Sequence, residues 1–299
     1  MFRTLIILLL IPIIGKAQNI DVRIIDTLCL QESSGLVLFE QYFVTIEDSG
    51  NDPLLHIIDT NNICNPRSVL VSNATNADWE SLTFDDTFLY IGDFGNNNGT
   101  RKDLCIYKVK WSDLLVKDTV SSDKINFSYS NQHNFSKDKK NIFNCEAMIK
   151  LDSSLWLFSK SPNAQWSYVY EIPSSAKTIS VHPRDSILLD FKITGACYES
   201  GILRFIGYDF KPKTSVRTGI FAIEDLNNKK WSSSSLKGYS SIQTEAVFAQ
   251  KQKVYYTSER FSKYGFDMKG EIGTFDENLS FKDQLSNCLL YTSPSPRDA

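Results

Sequence analysis

The chain has 299 residues, of which 12% are aromatic, and its formal net charge is −3. A mildly acidic chain without a basic run is not typical of nucleic-acid-binding proteins, so nucleic acid is excluded as the main partner. The length is sufficient for one domain with a sizeable hydrophobic core.

The first seventeen residues have the pattern of an export signal. Arg3 precedes an apolar run over residues 5–14, and the small residues Gly15 and Ala17 flank Lys16. These features are typical of a cleaved secretory signal peptide, and the apolar run is too short for a membrane anchor. We therefore predict a signal peptide at 1–17 with cleavage after Ala17, a secreted or periplasmic protein, and no transmembrane segment after cleavage.

A sequence motif recurs five times after the predicted signal peptide. It consists of a small or acidic opening residue, an apolar run, a tight turn and an aromatic-rich strand that ends in a polar residue. The opening residues are Glu32, Glu80, Glu146, Gly195 and Glu245. Their spacing of 48 to 66 residues is the period of an array of four-stranded sheets and is too long for most solenoid repeats.

Short apolar runs between clusters of Asn, Gly, Ser, Asp and Pro predict further strands in each unit. The first strands begin at the opening residues, and the second strands are predicted at 42–48, 88–93, 155–160, 203–208 and 254–259. The third strands are predicted at 54–58, 105–109, 168–172, 219–223 and 271–275. The fourth strands are predicted at 67–71, 124–129, 186–189 and 231–236, and one helical turn at 111–117.

The last unit lacks a fourth strand, whereas the strand predicted at 22–28 precedes the first unit and belongs to none. Pairing this N-terminal strand with the last unit closes a ring and covers the exposed sheet edges. We predict an all-β fold, a single β-propeller domain over 18–287 with five blades of four strands, closed by the N-terminal strand. Six blades and a β-sandwich are the alternatives.

The C-terminal residues have a different character. Residues 288–298 resemble the translation of a sequencing adapter. We predict that 288–299 are an artefact of adapter sequence and that the natural C-terminus beyond Asn287 is missing. Like an expression scar, this segment is left out of the fold prediction.

Five cysteines lie between the signal and the adapter-like segment: Cys29, Cys64, Cys105, Cys145 and Cys197. They form no C-x-x-C pair, so neither a zinc site nor a redox motif is predicted. Export permits disulfides, but the odd number leaves at least one thiol unpaired. Small buried side chains are therefore favoured over a disulfide framework.

Two motifs of the second unit carry a family resemblance. Residues 78–80 read Asp-Trp-Glu, and residues 89–96 read Leu-Tyr-Ile-Gly-Asp-Phe-Gly-Asn, followed by Arg101. This pair is similar to the hallmark of a group of secreted bacterial β-propeller proteins. The resemblance covers about residues 32–260; Glu47 and Asn96 depart from it, standing where Asn and Asp are usual. It implies the propeller fold and no particular activity.

The repeat also predicts a cluster of carboxylates. The start of the first strand and the end of the second lie at one rim of a blade, because the two strands run antiparallel. Repetition around the axis places these residues at the mouth of the central channel, with one basic interruption where Glu146 meets Lys160 and a neutral one where Gly195 meets Tyr208. Clustered carboxylates require a cation, raised pKa values or hydrogen-bond donors. The predicted metal ligands are Glu32, Asp48, Glu80, Asp93, Glu245 and Glu259.

Oxygen ligands on turns rich in Asx and Gly suit Ca²⁺ better than Zn²⁺, so Ca²⁺ is the predicted cofactor. Aromatic side chains beside the acids also predict binding of a small molecule, glycan or peptide. The predicted ligand-binding residues are Asp78, Trp79, Glu80, Asp93 and Tyr208. Packing between blades is the structural alternative for the aromatic residues.

We therefore predict an exported ligand- or metal-binding module that uses the acidic rim. The alternative is a hydrolase of a sugar, lactone or ester that uses the same carboxylates as acid and base, or a metal-activated water. A third interpretation is a structural role for the rim, in which each glutamate accepts hydrogen bonds from amides of the neighbouring blade. The sequence has no G-x-S-x-G elbow and no glycine-rich phosphate loop, which disfavours a serine hydrolase and a nucleotide enzyme.

Overall fold

A computed structural model describes residues 19–30, 32–160, 166–189, 191–209, 216–222, 232–237, 243–251, 253–263 and 266–276. The predicted signal peptide at 1–17 and the adapter-like segment at 288–299 lie outside these residues. The described part of the chain is mostly β-strand, and its strands are grouped below into five units in chain order.

The strands are numbered in chain order. The first is β1 (Asn19–Thr27), and unit 1 contains β2 (Ser33–Phe39), β3 (Tyr42–Glu47), β4 (Leu54–Asp59) and β5 (Asn62–Val71). Unit 2 contains β6 (Trp79–Phe84), β7 (Phe88–Asp93), β8 (Cys105–Lys110), the helix α1 (Trp111–Leu114), β9 (Thr119–Val120) and β10 (Asp123–Tyr129).

Unit 3 contains β11 (Cys145–Leu151), β12 (Ser154–Ser159), β13 (Trp166–Pro173), β14 (Thr178–Val181) and β15 (Asp185–Leu188). Unit 4 contains β16 (Phe191–Glu199), β17 (Ile202–Asp209), β18 (Val216–Ala222) and β19 (Ser232–Lys237). Unit 5 contains β20 (Thr244–Gln250), β21 (Lys253–Ser258), β22 (Phe261–Lys263), β23 (Phe266–Met268) and β24 (Glu271–Asp276). Each predicted strand corresponds to one of these, and the predicted helical turn is α1.

The inner and outer strands differ in their sequence patterns for a physical reason. The first strands β2 and β20 are buried along almost their whole length because both of their faces are covered, and they carry a mainly apolar run after a polar start. The outer strand β10 alternates buried and exposed residues because only one face packs against the core.

Within each unit, the main strands pair antiparallel in chain order, whereas the short strands β9 and β14 pair in parallel with the preceding unit, β9 with β5 and β14 with β10. The described strands form four sheets of four or more strands and one two-stranded hairpin. The arrangement is all-β and propeller-like. The sheets number four and not the predicted five, because units 4 and 5 share one eight-stranded sheet, joined where β19 pairs in parallel with β1.

The N-terminal strand belongs to the last unit. β1 pairs antiparallel with β24, from Val22 opposite Phe275 to Thr27 opposite Glu271. This confirms the predicted pairing between the strand at 22–28 and the last unit. Three strands of unit 5 and one strand from the start of the chain thus make a four-stranded group.

The first strands of the five units pack against one another in a closed series. β2 contacts β6, β6 contacts β11, β11 contacts β16, β16 contacts β20, and β20 contacts β2. Side-chain hydroxyls connect neighbouring strands: Ser34 donates to the Glu80 carbonyl at 2.8 Å, and Ser81 accepts from the Met148 amide at 3.1 Å. The hydrophobic clusters lie between neighbouring units.

A β-bulge recurs in every first strand. The residue left unpaired is Gly35 in β2, Glu80 in β6, Glu146 in β11, Thr194 in β16 and Glu245 in β20. A bulge inserts one residue and re-aims its side chain, so these five positions are the structural equivalents of one another. The predicted opening residues Glu32 and Gly195 are therefore out of register with the other three.

Candidate functional site

The bulges of three units place glutamates among the first strands. Glu80, Glu146 and Glu245 are each less than a tenth exposed. Burial raises the pKa of Glu80 well above its usual value, and the charges of Glu146 and Asp48 raise it further. Burial also raises the pKa of Glu245. The structure thus brings together acids that are far apart in the sequence.

Residues at the ends of the second strands surround these glutamates. The Lys160 ammonium, which follows β12, lies 2.9 Å from the Glu146 carboxylate, as predicted. Burial alone would lower the pKa of Lys160, but the carboxylates of Glu146 and Glu245 outweigh it and raise the pKa. The single buried ammonium group of Lys160 therefore lies among several buried carboxyl groups, and it cannot neutralise all of them.

The tightest group of carboxylates joins units 1 and 2. Ligand oxygens of Asp48, Asp78 and Glu80 all lie within 4.8 Å of one another. Asn76 holds the two units in this position, because its amide nitrogen donates to the Asp48 carbonyl at 3.0 Å and its oxygen accepts from the Trp79 amide at 3.1 Å. We call these three acids the carboxylate cluster.

Gly95 leaves the space that the carboxylate cluster surrounds. A Cβ atom at this position would lie 2.3 Å from Glu80 Oε1 and 2.4 Å from Asp78 Oδ2. Any side chain would therefore collide with both carboxylates. The glycine of the Gly-Asp-Phe-Gly motif keeps their oxygens accessible to one common partner.

Arg101 fixes the loop that carries Gly95. Its guanidinium lies 2.8 Å from Asp93 Oδ1 and donates to the Gly95 carbonyl at 3.0 Å. Asp93 also accepts from the Asp78 amide at 3.1 Å. Asp93, predicted as a metal ligand, is thus an anchor for the loop and is not a member of the carboxylate cluster.

Two carboxyl groups of this site have pKa values raised to near neutrality. Burial raises the pKa of Asp78 to about 7, with additional contributions from the charges of Asp48 and Glu146. Burial likewise raises the pKa of Glu259 to about 7, with contributions from Asp48 and Glu32. Both groups are therefore half protonated near neutral pH.

The remaining predicted site residues occupy different environments. Glu32 is exposed and accepts from the Asn51 amide at 3.0 Å, and Glu259 accepts from the Gln243 amide at 2.8 Å. Trp79 is fully buried in the core, and its indole donates to the Thr75 carbonyl at 3.0 Å. This burial removes Trp79 from the candidate ligand-binding residues, because no ligand can reach its ring.

Tyr208, the other predicted aromatic, lies at a cavity of about 410 Å³ beside the rim. Lys160, Lys192 and Asn144 line the same cavity, together with residues of the 97–98 turn and the 139–141 segment. None of the predicted site residues lies in the segment 131–144. The signal that was overlooked is the run of asparagines at 96–98. The Asn96 carbonyl accepts from the Asn141 side chain, and Asn97 Oδ1 accepts from the Asn144 side chain.

Three of the solved structures with a similar fold are glycosidases. An exo-β-1,3-galactanase from Phanerochaete chrysosporium aligns with a TM-score of 0.53 and 11% identity, over 86% of this chain and 64% of its own. An exo-β-1,3-galactanase from Clostridium thermocellum gives 0.53 and 9%, over 83% and 61%. An α-L-arabinofuranosidase from Clostridium thermocellum gives 0.50 and 10%, over 86% and 93%.

The fold is that of a β-propeller. At these identities the likeness shows the fold alone, and the chain spans less than two thirds of the two galactanases. No family model matches the sequence, and no curated protein does. Within the described residues, no helix is long and apolar enough to cross a membrane.

The raised pKa values predict how stability depends on pH. Asp78 and Glu259 have pKa values of about 7 in the folded chain against ordinary values of 3.8 and 4.5. Between these values the folded state binds more protons than the unfolded state, so stability is lost as pH rises. We expect the melting temperature of chelator-treated protein to fall from about pH 5 to about pH 8.

The double variant Asp78→Asn, Glu259→Gln provides the comparison, because it removes both titrations while keeping the shapes of the side chains. The difference in melting temperature between wild type and variant should change steadily over this pH range. A constant difference would contradict the assignment of these two groups.

Proposed function

We propose that this chain is an exported five-bladed β-propeller that binds a divalent cation, with Ca²⁺ the first candidate, at the rim of its central channel. The observation that carries the proposal is the convergence of Asp48, Asp78 and Glu80 within 4.8 Å. The cation site is one part of a ligand-binding surface formed by the same rim.

Two observations support five blades. The five first strands contact one another in a closed series, and each contains one bulge at the equivalent position. The eight-stranded sheet divides at the parallel pair of β19 and β1 into two four-stranded antiparallel groups. Counting these groups as separate blades gives five, with β1 closing the ring.

The electrostatics of the carboxylate cluster favour a bound cation. Three acids this close repel one another when ionised, and their burial makes ionisation more costly. A divalent cation removes both penalties at once. All three ligands are oxygen, which is the donor set of Ca²⁺ and Mg²⁺ and not of Zn²⁺, and Gly95 keeps the space between Asp78 and Glu80 open.

Calcium should stabilise the native protein by mass action. At a Ca²⁺ concentration one hundred times the Kd, the gain is about 2.7 kcal/mol, which raises the melting temperature by about 5 °C or more for a chain of this size. The measurement is a thermal melt of chelator-treated protein with and without Ca²⁺ or Mg²⁺, together with elemental analysis of the purified protein.

Three variants, Asp48→Asn, Asp78→Asn and Glu80→Gln, should each abolish this shift. In the absence of metal each should melt at or above the wild-type temperature, because one repelling charge is gone. A purely structural role would instead lower the melting temperature. Asp86→Asn is the matched control, since Asp86 is exposed in the β6–β7 turn at the opposite end of unit 2. A wild-type protein that shows no shift at millimolar Ca²⁺ and contains no metal would contradict the proposal.

A second candidate function is hydrolysis, and one observation favours it. Asp78 and Glu259 have pKa values of about 7, the value at which a carboxyl group donates or accepts a proton readily at neutral pH. The structural neighbours named above act on galactans and arabinosides by their descriptions. These substrates are the first to screen, followed by lactones and esters.

The screen uses chromogenic substrates with wild type and the same variants. If the candidate is correct, Asp78→Asn should lose about a hundredfold or more of the turnover, which is the usual contribution of a general acid or base. Asp86→Asn should retain it. Absence of wild-type turnover on all of these classes, or turnover that survives Asp78→Asn, would contradict this candidate.

A further inference from the structure

The cavity beside the rim has a charge opposite to that of the carboxylate cluster. Its volume is about 410 Å³, and three of the eight residues that line it are lysines: Lys139, Lys160 and Lys192. None of the eight is acidic. A cavity of this size accommodates a small organic ligand.

The wall of the cavity is fixed before any ligand arrives. The Asn144 side chain is buried and donates to Glu146 Oε1 at 2.5 Å and to Asn97 Oδ1 at 3.1 Å. The Asn141 amide donates to the Asn96 carbonyl at 3.1 Å and to the Asp138 carbonyl at 2.8 Å. Such satisfied networks hold their shape, so the cavity is preorganised.

The lysines approach the cavity from three separate segments. Lys160 follows β12 and is held by Glu146, and its ammonium also lies 5.5 Å from the centre of the Tyr208 ring. Lys192 lies in β16 directly opposite Tyr208 of β17. Lys139 is exposed, and it makes no ion pair within the part of the chain that the structure describes.

We propose that this cavity binds a hydroxylated anion, namely a sugar that carries a carboxylate or a phosphate group. The lysines supply the attraction for the anionic group, and Asn97, Asn98 and Tyr208 supply polar and aromatic contacts for the sugar. The site extends the proposed ligand-binding role of the rim, and it does not depend on a cation at the carboxylate cluster.

The test compares charged and neutral sugars by calorimetry at constant ionic strength. The probes are galacturonate, glucose 6-phosphate and galactose, and the buffer contains a chelator so that the cation site plays no part. At least one of the two anionic sugars should bind about tenfold or more tightly than galactose, which corresponds to about 1.4 kcal/mol. Which of the two binds more tightly distinguishes a carboxylate from a phosphate.

The double variant Lys139→Met, Lys192→Met should abolish the preference for the anionic sugar, whereas Lys177→Met, an exposed lysine that does not line the cavity, should leave it unchanged. If the double variant does not fold, the single variant Lys139→Met is measured in its place. Equal binding of charged and neutral sugars, no binding of any probe, or a preference that survives the variants would overturn the proposal. Failure of the calcium test would leave this result unaffected.

A separate observation concerns two exposed cysteines. Cys29 lies between β1 and β2, and Cys64 lies near the start of β5; both are exposed, whereas the other three described cysteines are buried. Cys64 Sγ lies 3.5 Å from the Thr27 carbonyl. Thr27 is two residues before Cys29, and β1 and β5 contact each other. The two thiols are therefore neighbours although 35 positions separate them, and the Cys29 thiol raises the pKa of Cys64.

We infer that Cys29 and Cys64 form a disulfide in the exported protein. The reaction is thiol–disulfide exchange with an oxidised dithiol protein or a small-molecule disulfide: the two thiols lose two electrons and two protons, and the donor disulfide is reduced to two thiols. The new bond would connect the end of β1, which pairs within the last unit, to β5 of unit 1. It would thus hold together the two ends of the ring.

Treatment with oxidised glutathione should remove two free thiols from the wild type, and mass spectrometry of the unreduced digest should show the peptides of Cys29 and Cys64 joined. Reduction should then lower the melting temperature by about 5 °C or more. Cys64→Ser should melt like the reduced wild type and be insensitive to reductant. Two thiols that stay free, or a linked protein whose melting temperature reduction does not change, would overturn the inference.

Discussion

Packing of the five first strands against one another decides where the polar side chains of this protein lie. β2, β6, β11, β16 and β20 each contact two neighbours in the series, so residues of different units meet at short distance. The bulge in each strand then re-aims one side chain. Three of those side chains are glutamates. Burying three carboxyl groups together is unfavourable when they are ionised, and the other charged groups of the rim must offset this cost.

The carboxylates are not neutralised to the same extent in all units. Lys160 neutralises Glu146 directly, and Arg101 pairs with Asp93 beside the Gly95 loop. Asp48, Asp78 and Glu80 have no lysine or arginine within ion-pair distance among the described residues. Burial is the largest cause of their raised pKa values, and the charges of the neighbouring acids raise them further.

The sequence predicted the strands well because period and turn chemistry are local properties. The ion pair between Glu146 and Lys160 was also predictable, since antiparallel pairing brings the start of one strand to the end of the next. The positions of the β-bulges were harder to predict from the sequence. Glu32 and Gly195 look like equivalents of Glu80, but the bulges fall on Gly35 and Thr194, because a bulge adds a residue that leaves no trace in composition. The burial of Trp79 and the lysine-lined cavity depend on contacts between units that are distant in the chain.

The distribution of residues at equivalent positions argues against a purely structural role for the rim. A lock between blades would repeat the same residue at each bulge, yet these positions hold Gly35, Glu80, Glu146, Thr194 and Glu245. Units 1 and 2 supply the carboxylate cluster, whereas Lys160 and Lys192 of units 3 and 4 line the cavity. Buried polar groups cost stability unless they are compensated, and their uneven distribution is what the binding role proposed above requires. The carboxylate cluster and the lining of the cavity share no residue, so the two proposed sites suit two ligands of opposite charge.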